Sequence, residues 1–299
     1  MINGSTRLVG LIGYPVKHSL SPQMHNAAFD ALGLNWRYVA MEVAPSQIVQ
    51  AVHGLAALGF RGVNVTIPHK QTVLPLLGYM SNEVKILGAA NTLVFEPAVD
   101  CSGDFPWLIM GYNTDEEGFY RALIGGGYAA NPDHRAIVLG AGGAARSVLS
   151  TLIRLGLKSI LLLNRSKDRA EKLIHDLKSL VNDQTTIPQL EINSLTSRVL
   201  IESVHQANLL VNTTPVGMWP EVTQSLWPET TPIPRHLTVY DLVYNPLETR
   251  LLQQARKSGA QTISGLDMLV HQGALAFELW TGLEAPITAL RETCIKQLQ

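Results

Sequence analysis

Apolar runs and segments of helical periodicity alternate along the whole chain. Strands are predicted where about four to eight apolar or β-branched residues occur together, and helices where apolar residues recur every three or four positions. Strands joined by crossover helices pair in parallel, so the alternation predicts α/β layers with parallel strands. In the first third of the chain the predicted elements are strands 7–12, 37–43, 62–67 and 90–95 and helices 21–32 and 46–58.

The alternation restarts more regularly after a glycine- and proline-rich stretch, GGGYAANP at 125–132. Such a cluster is typical of a linker, so by itself it predicts a domain edge nearby. The earlier segment 96–110 contains two prolines and mixed polar residues, which predicts a loop or a hairpin. The later predicted elements are strands 136–139, 159–163, 209–212, 238–243 and 262–263 and helices 143–155, 169–180, 266–279 and 285–298.

The composition is that of a globular protein of about two domains, because the chain has 299 residues, of which 46% are hydrophobic and 16% charged. The net charge of −1 does not suit a nucleic-acid binder, which usually carries a basic excess. No apolar run reaches the roughly 20 residues needed to cross a bilayer, and the first residues do not form a signal peptide. We therefore expect a cytoplasmic protein without a nucleic-acid or membrane partner.

Cysteine and histidine usage excludes two further classes. The two cysteines, Cys101 and Cys294, are too few for a disulfide framework, and neither belongs to a CxxC pair. The nine histidines are scattered, without an HExxH motif or zinc-site spacing. A reducing compartment and no metal site are expected.

A glycine-rich turn follows the predicted strand AIVL and opens a predicted helix. Residues 140–145, GAGGAA, fit the pattern G-x-G-x-x-[G/A] in the required context of strand, turn and helix. Gly140 allows the tight turn, Gly142 lets a pyrophosphate approach the backbone, and free N–H groups at the helix start face the anion. The turn therefore predicts a dinucleotide site, although a tight turn in an α/β domain would look similar.

The end of the following strand indicates which dinucleotide is bound. NAD sites usually present Asp or Glu there, about 20 residues after the glycines. This chain has Asn164, Arg165 and Ser166, with Arg169 one turn later. A carboxylate would repel a 2′-phosphate, whereas two guanidinium groups can hold it with charge-assisted hydrogen bonds. The motif favours NADP over NAD, the alternative being a solvated basic start of a helix.

Three polar motifs in the first part of the chain have ordinary explanations when taken singly. Ser21 is typical of a helix N-cap. Lys70, at the end of NVTIPHK, is typical of a surface lysine, and Asp115, at the end of GYNTD, is typical of the first turn of a helix. Each also suits a ligand site. Two hydroxyls at a helix start can hold a carboxylate, and polar side chains at a strand's carboxyl end line the crevice where open α/β sheets bind ligands.

Together the motifs resemble those of shikimate dehydrogenase. In chain order, from about residue 9 to residue 282, they are SLSP, NVTIPHK, AANT, GYNTD, GAGGAAR, NRS followed by an arginine, NTTPVGM, DLVYNPLETRLL and GLDMLVHQ. The resemblance implies NADP-dependent reduction of 3-dehydroshikimate to shikimate, in the biosynthesis of chorismate and the aromatic amino acids. It also implies a two-domain α/β fold. A substrate domain would comprise 1–114 and 266–299, a doubly wound Rossmann-type NADP domain would comprise 115–265, and the active site would lie in a cleft between them.

The resemblance also assigns roles to residues. Lys70 and Asp115 correspond to the catalytic acid–base pair. The implied substrate-binding residues are Ser19, Ser21, Asn64, Thr66, Lys70, Asn91, Asp115, Tyr244 and Gln272. The implied NADP(H)-binding residues are Gly140, Ala141, Gly142, Gly143, Ala144, Asn164, Arg165, Ser166, Arg169, Thr213, Leu242, Gly265 and Met268. The segment between residues 95 and 111 is longer than is usual in the family.

Other functions remain as alternatives to this interpretation. A quinate/shikimate dehydrogenase would accept quinate or NAD, although Arg165 and Arg169 argue against NAD. A methylenetetrahydrofolate dehydrogenase also joins a lysine-bearing lobe to a Rossmann lobe, but it lacks the SxS and GYNTD motifs. A non-catalytic NADP-binding module would bind cofactor without turnover, and the presence of both Lys70 and Asp115 argues against it. A monomer or a homodimer is expected.

Overall fold

The computed structural model describes residues 2–98, 106–178 and 187–299 and divides the chain into two compact units. Unit 1 consists of Met1–Thr114 and Gln272–Gln297 with Gln299, and unit 2 of Asp115–His271 with Leu298. The sequence prediction placed the return to the first domain at residue 266. Both that position and the structural division at 271/272 lie within one helix, Gly265–Thr281.

Unit 1 contains a six-stranded sheet flanked by helices. Its strands are β1 (Arg7–Gly13), β2 (Trp36–Glu42), β3 (Gly62–Val65), β4 (Tyr79–Met80), β5 (Thr92–Pro97) and β6 (Trp107–Tyr112), in the order β2-β1-β3-β5-β6-β4. Its helices are α1 (Ser21–Ala31), α2 (Ile48–Ala57), α3 (Asn82–Leu87) and α10 (Ile287–Leu298), with short 3-10 turns at Pro45–Gln47 and Leu74–Leu76. The strand β2 therefore forms one edge of this sheet.

The sheet of unit 1 is mixed, so the prediction of parallel pairing is wrong for part of it. Strands β1, β2 and β3 pair in parallel, but β5 runs antiparallel to both β3 and β6. A parallel return needs a crossover of about a dozen residues or more, and only residues 98–106 separate β5 from β6. The hairpin alternative for 96–110 is confirmed by this pairing, while residues 99–105, including Cys101, lie outside the described part of the chain.

One face of the unit 1 sheet is covered by α1 and the second half of α9 (Gly265–Thr281). Phe29 of α1 and Phe277 of α9 stack with their ring centroids 5.2 Å apart. The indole Nε1 of Trp280 donates a hydrogen bond to the Leu93 carbonyl at 3.0 Å, so the helix is bonded to the backbone of β5. The Trp280 indole passes directly over Gly62 of β3. An added Cβ at Gly62 would collide with the Leu93 carbonyl oxygen and the Trp280 ring.

Unit 2 contains a second six-stranded sheet, and all of its strands are parallel. The strands are β7 (Arg135–Leu139), β8 (Ser159–Asn164), β9 (Gln189–Ser194), β10 (Leu209–Asn212), β11 (Thr238–Asp241) and β12 (Gln261–Ser264), in the order β12-β11-β10-β7-β8-β9. The helices of the unit are α4 (Asp115–Gly125), α5 (Gly143–Arg154), α6 (Lys167–Lys178), α7 (Ser197–Val204) and α8 (Arg250–Lys257), together with the first part of α9. This is the doubly wound order, in which successive strands are added outward from β7 in one direction and outward from β10 in the other, so that the switch point lies between β7 and β10.

The central strands of unit 2 are buried on both faces. In β7, Ala136 and Val138 pack into one apolar cluster, and Ile137 and Leu139 into the cluster on the opposite face. A parallel sheet covered by helices on both sides needs such continuous apolar strands. Polar groups are consequently concentrated where the strands end.

Several elements differ from the sequence prediction. The predicted strand 62–67 ends at Val65, the helix predicted from 169 begins at Lys167, and its last two residues, 179–180, lie outside the described part of the chain. Five elements were not predicted: β4, α3, β9, α7 and α8. β4 has only two residues, and β9 at the sheet edge is largely exposed, so neither has a continuous apolar run.

None of the helices that the structure describes is long and apolar enough to cross a membrane.

The close approach over Gly62 predicts a large effect of a small substitution. We expect Gly62→Ala to lower the free energy of unfolding by about 3 kcal/mol, because neither the Leu93 carbonyl nor the Trp280 ring can move without breaking their hydrogen bond. The matched control is Gly54→Ala in α2, where an added Cβ meets nothing within 4 Å and helix propensity favours alanine. Urea unfolding measures both variants, and equal stabilities would contradict the analysis.

Candidate active site

The glycine-rich turn of unit 2 lies at the carboxyl end of the central strand β7. Gly140 adopts φ = +98°, which L side chains rarely adopt, and an added Cβ would lie 2.9 Å from the Thr213 hydroxyl and from the Thr214 methyl group. Helix α5 begins at Gly143 after the extended Gly142, around which a Cβ would meet no atom within 4 Å. The backbone at the start of α5 is therefore uncrowded, which suits the close approach of an anion to the free N–H groups of a helix start.

A cavity of about 250 Å³ opens beside this turn. It extends along the carboxyl ends of β8, β7 and β10, which is where doubly wound sheets bind dinucleotides. The lining residues are Gly140, Ala141, Gly142, Asn164, Arg165, Arg169, Leu195, Thr213, Thr214, Pro215, Val216 and Leu226. Seven of the residues predicted to bind cofactor are therefore together in one cavity.

The end of the cavity at β8 is basic. Arg165 and Arg169 line it with their side chains exposed, and the described lining residues include no carboxylate. The turn that carries them is ordered locally, since the Asn164 side chain donates to the Ser166 carbonyl at 2.7 Å and the Arg169 N–H donates to the Ser166 hydroxyl at 3.4 Å. Two guanidinium groups without a competing carboxylate fit a 2′-phosphate, so these residues suit NADP(H).

The opposite wall of the cavity depends on a buried carboxylate. Asp241, at the end of β11, accepts hydrogen bonds from the Thr249 hydroxyl (2.6 Å), the Asn212 amide (2.9 Å) and the Val243 N–H (3.1 Å). Asn212 in turn accepts from the Thr214 N–H and hydroxyl at 3.0 and 2.7 Å. Burial raises the pKa of Asp241 to about 6, and the three hydrogen bonds partly oppose this shift.

Six predicted cofactor residues do not line the cavity. Gly143, Ala144 and Ser166 belong to the adjoining turns. Leu242 and Met268 pack beside the apolar core, and Gly265 lies so close to the Leu242 carbonyl that an added Cβ would collide with it. Leu242 and Gly265 thus form a second group at the end of β11. In the strand order, β11 and the strand β8 that precedes the arginines lie on opposite sides of β7.

In unit 1 a buried hydrogen-bonded network joins several predicted substrate residues. The Tyr38 hydroxyl donates to Asn64 Oδ1 at 2.8 Å, and Asn64 Nδ2 donates to the Thr92 hydroxyl at 3.0 Å. Thr92 then donates to Asn91 Oδ1 at 3.1 Å, and the Thr114 N–H donates to the same oxygen at 2.8 Å. Each of these residues is less than 10% exposed. The network thus connects β2, β3, β5 and the residue that precedes Asp115.

Tyr38 is held on several sides, although the sequence analysis did not select it. The Asn26 side chain of α1 bonds both its N–H and its carbonyl, each at 2.9 Å, and the His25 ring stacks on it at 4.5 Å. Burial raises the pKa of the Tyr38 hydroxyl above its ordinary value, and the neighbouring Ser21 side chain only partly opposes this shift. Since an aromatic residue in an edge strand is ordinary, only its partners in space identify it.

Ser21 is the first residue of α1, and Leu20 occupies the N-cap without a side-chain cap bond, so the N-cap interpretation of Ser21 is wrong. The Ser21 N–H donates instead to the Ser19 hydroxyl at 3.2 Å. Both predicted carboxylate ligands therefore lie at the start of α1. Ser21 is close enough to Tyr38 to lower its pKa, which places this helix start beside the buried network.

The turn that carries Lys70 is anchored by its backbone and by His69. The fully buried His69 places Nε2 at 2.7 Å from the Val43 carbonyl, so Nε2 is the protonated ring nitrogen. The Lys70 carbonyl accepts from the Ala90 N–H at 2.8 Å, and the Thr66 carbonyl accepts from the His69 N–H at 2.9 Å. Thr66 and Lys70 are both half-buried in this turn.

The remaining predicted residues belong to different parts of the two units. Gln272 is the first residue of the second part of unit 1 and is half-buried on α9. Asp115 is the first residue of α4 in unit 2, and only 8% of its surface is exposed. Tyr244 follows β11 in unit 2 and is half-buried. The described part of the chain contains no group of three His, Cys, Asp or Glu side chains placed to hold a metal ion.

Sequence reasoning missed several residues of the cavity and the network. The cavity residues Leu195, Thr214, Pro215, Val216 and Leu226 were not predicted. Three of them belong to the motif NTTPVGM, from which only Thr213 was selected, so the motif carried a usable signal. Leu195 and Leu226 belong to irregular segments and have no local pattern that would identify them.

Comparison with known proteins gives matches along most of the chain. Family models describe residues 11–93 as a shikimate dehydrogenase substrate binding domain, 128–226 as shikimate/quinate 5-dehydrogenase, and 265–295 as a shikimate 5′-dehydrogenase C-terminal domain. The NADP(+) shikimate dehydrogenase of Methanopyrus kandleri is 44% identical over 298 residues, covering 100% of this chain and 98% of that protein.

Solved structures of related sequence have a fold similar to that of this chain. Shikimate 5-dehydrogenase from Thermus thermophilus, in complex with NADP(H) and shikimate, is 35% identical with a TM-score of 0.80, covering 97% of this chain and 99% of that one. Quinate dehydrogenase from Corynebacterium glutamicum, in complex with NAD, is 31% identical with a TM-score of 0.84. The match covers 97% of this chain and 99% of that one.

The buried Asp241 predicts a pH dependence of stability. Its folded-state pKa of about 6 lies above the ordinary value of 3.8, so its contribution to stability is complete below about pH 4 and is lost as the pH rises through 6. Between pH 5 and pH 8 we expect the free energy of unfolding of the wild type to fall by about 1 kcal/mol relative to Asp241→Asn. Urea unfolding at several pH values measures this difference. The exposed Asp133→Asn is the control, and a difference that rises with pH would contradict the assignment.

Proposed function

The chain belongs to the shikimate dehydrogenase family, and from this premise we propose that it reduces 3-dehydroshikimate to shikimate with NADPH, with Lys70 and Asp115 as its acid–base pair. One observation carries the cofactor half of this proposal. The glycine turn, the start of α5 and the two arginines surround one cavity, and its described lining includes no carboxylate. That combination suits a dinucleotide with a 2′-phosphate. Among alternatives, quinate is the substrate to compare, because a quinate dehydrogenase is structurally similar.

The substrate half of the proposal rests on the polar groups of unit 1. Ser19 and Ser21 lie at the start of α1, where hydroxyls and the helix dipole favour a carboxylate. Asn64 and Asn91 are held by the buried network, so their side chains have a defined orientation. We assign Asn64, Thr66, Asn91, Tyr244 and Gln272 to the hydroxyls and the ring of the substrate.

The chemical step requires a proton as well as a hydride. NADPH supplies the hydride when it is bound, and the protein supplies position and charge. Lys70 donates a proton to the oxygen of the ketone that is reduced, or stabilises the negative charge that develops there. Asp115 accepts a hydrogen bond from the substrate hydroxyl next to that ketone.

The local structure gives both groups defined positions. The backbone on either side of the Lys70 side chain is held by the Ala90 and His69 hydrogen bonds. Asp115 directly follows Thr114, whose N–H is bonded to Asn91. A catalytic group on an anchored backbone loses less conformational entropy when it reacts. The expected oligomeric state, a monomer or a homodimer, and the cytoplasmic location stay predictions.

Replacement of the lysine tests the catalytic assignment. We expect Lys70→Ala to lower kcat by about 10²- to 10⁴-fold, the usual contribution of general acid–base catalysis, while NADP+ binding is retained. The assay follows NADPH absorbance after addition of 3-dehydroshikimate, with quinate and NADP+ tested in the oxidative direction. Lys85→Ala, an exposed lysine of α3 in the same unit, is the control. A wild-type enzyme that binds NADPH without turnover would contradict the proposal and support a binding module.

Arg165 and Arg169 are expected to determine the preference of the enzyme for NADPH over NADH. We expect Arg165→Ala together with Arg169→Ala to raise the KM for NADPH by about 10- to 100-fold, because charge-assisted hydrogen bonds to the 2′-phosphate are lost, and to change the KM for NADH little. Steady-state kinetics with both cofactors measure this. Arg198→Ala, on the exposed surface of α7, is the control for a lost positive charge. Equal effects on the KM values for NADPH and NADH would show that the arginines do not bind the 2′-phosphate.

A further inference from the structure

The segment that follows β10 presents an exposed apolar group that the assigned residues do not use. Five large apolar side chains of the described part of unit 2 are at least 37% exposed, namely Ile124, Ile187, Met218, Trp219 and Val222. Three of these occur within five consecutive residues. Trp219, with 49% of its surface exposed, is the largest. Exposed apolar patches on an ordered segment are common at ligand- and partner-binding sites.

The backbone around Trp219 is ordered by its own hydrogen bonds. Gly217 adopts φ = +89°, and an added Cβ there would lie 3.1 Å from the Gln224 carbonyl oxygen. The Met218 N–H donates to the Pro215 carbonyl at 3.1 Å, and the Val222 N–H donates to the Pro220 carbonyl at 3.0 Å. The backbone position of Trp219 is therefore set by a tight, internally bonded turn.

This turn is continuous with the cofactor cavity. Thr213, Thr214, Pro215 and Val216 line the cavity before the turn, and Leu226 lines it after the turn. The Trp219 N–H donates to the Asn245 carbonyl at 2.9 Å, which bonds the turn to the segment that follows β11. The backbone of Trp219 thus connects the cavity wall, which ends three residues earlier at Val216, to the segment that contains Leu242 and Tyr244.

The strand order shows which half of a dinucleotide would reach this turn. The strands run β8, β7, β10, β11 across the sheet. The arginines follow β8, and the glycine turn for the pyrophosphate follows β7. With the 2′-phosphate at Arg165 and Arg169, the nicotinamide half extends towards the ends of β10 and β11, about 5 to 10 Å beyond β7 at the usual strand spacing. The turn that carries Trp219 begins at the end of β10.

We propose that Trp219 is a cofactor-binding residue that packs its indole against the nicotinamide half of NADP(H). The inference rests on the proposed function. A flat indole suits the planar nicotinamide ring in both redox states, and the positive charge of NADP+ adds a favourable cation–π interaction. The contact is apolar and remote from the 2′-phosphate, so it contributes to affinity without selecting NADP over NAD.

Cofactor fragments separate the two halves of the site. Calorimetry would compare NADP+ with 2′,5′-ADP, which has the adenosine and its 2′-phosphate but no nicotinamide. We expect Trp219→Ala to weaken NADP+ binding by about two- to tenfold, the range of an aromatic contact, and to leave 2′,5′-ADP binding unchanged. Trp219→Phe retains a ring and should remain within about twofold of the wild type for both ligands. Ile124→Ala, an exposed apolar residue of α4, is the matched control and should change neither.

A spectroscopic measurement tests the contact without activity. Protein labelled with 5-fluorotryptophan gives a fluorine resonance for Trp219 that is assigned by its loss in Trp219→Phe. NADP+ should shift this resonance, and 2′,5′-ADP should not. Equal weakening of both ligands by Trp219→Ala, or an unshifted resonance at saturating NADP+, would overturn the inference. A change confined to the KM for 3-dehydroshikimate would also overturn it. A wild type that binds neither ligand would overturn the proposed function, and this inference with it.

Discussion

The requirement that buried polar groups be hydrogen-bonded determines the arrangement of unit 1. Asn64, Asn91 and Thr92 lie inside the sheet with almost no exposed surface, where an unpaired amide or hydroxyl would cost about 1 to 3 kcal/mol. They satisfy one another in a single network that begins at Tyr38 and ends at Thr114. A network of this kind has few alternative arrangements, because moving one member leaves its neighbours unpaired. The proposed substrate ligands are therefore oriented before any substrate binds.

The same requirement organises the cofactor side of unit 2. Asp241 is buried at the end of β11 and accepts three hydrogen bonds, one of them from Asn212. Through Asn212 it holds Thr214, which is part of the cavity wall. The carboxylate that shapes this wall is itself fully buried and is not among the described residues that line the cavity. In both units, side chains with no contact to a ligand define the positions of the residues that are proposed to bind one.

Local patterns in the sequence predicted the regular parts of the fold well. The glycine turn, α5 and the central strands of unit 2 were recognised because parallel strands buried on both faces are continuously apolar. The residues of the glycine turn and of the Asn164–Arg169 segment, which we propose to bind the cofactor, could be selected because their spacing is short. The antiparallel direction of β5 was not predicted, since its sequence is as apolar as that of its parallel neighbours. The edge strand β9 was missed because its exposed side chains interrupt the apolar pattern.

The sequence alone determined the family of the protein, the alternation of its elements and the residues that can carry the chemistry, because these depend on residue type and short spacing. Tertiary structure alone decided the direction of β5, the network around Tyr38 and the position of Trp219. These features depend on partners that are distant in the chain, such as Tyr38 and Asn64 or Trp219 and Asn245. No local pattern encodes such pairs, since any of several polar or aromatic residues could occupy each position until the fold brings one partner to it.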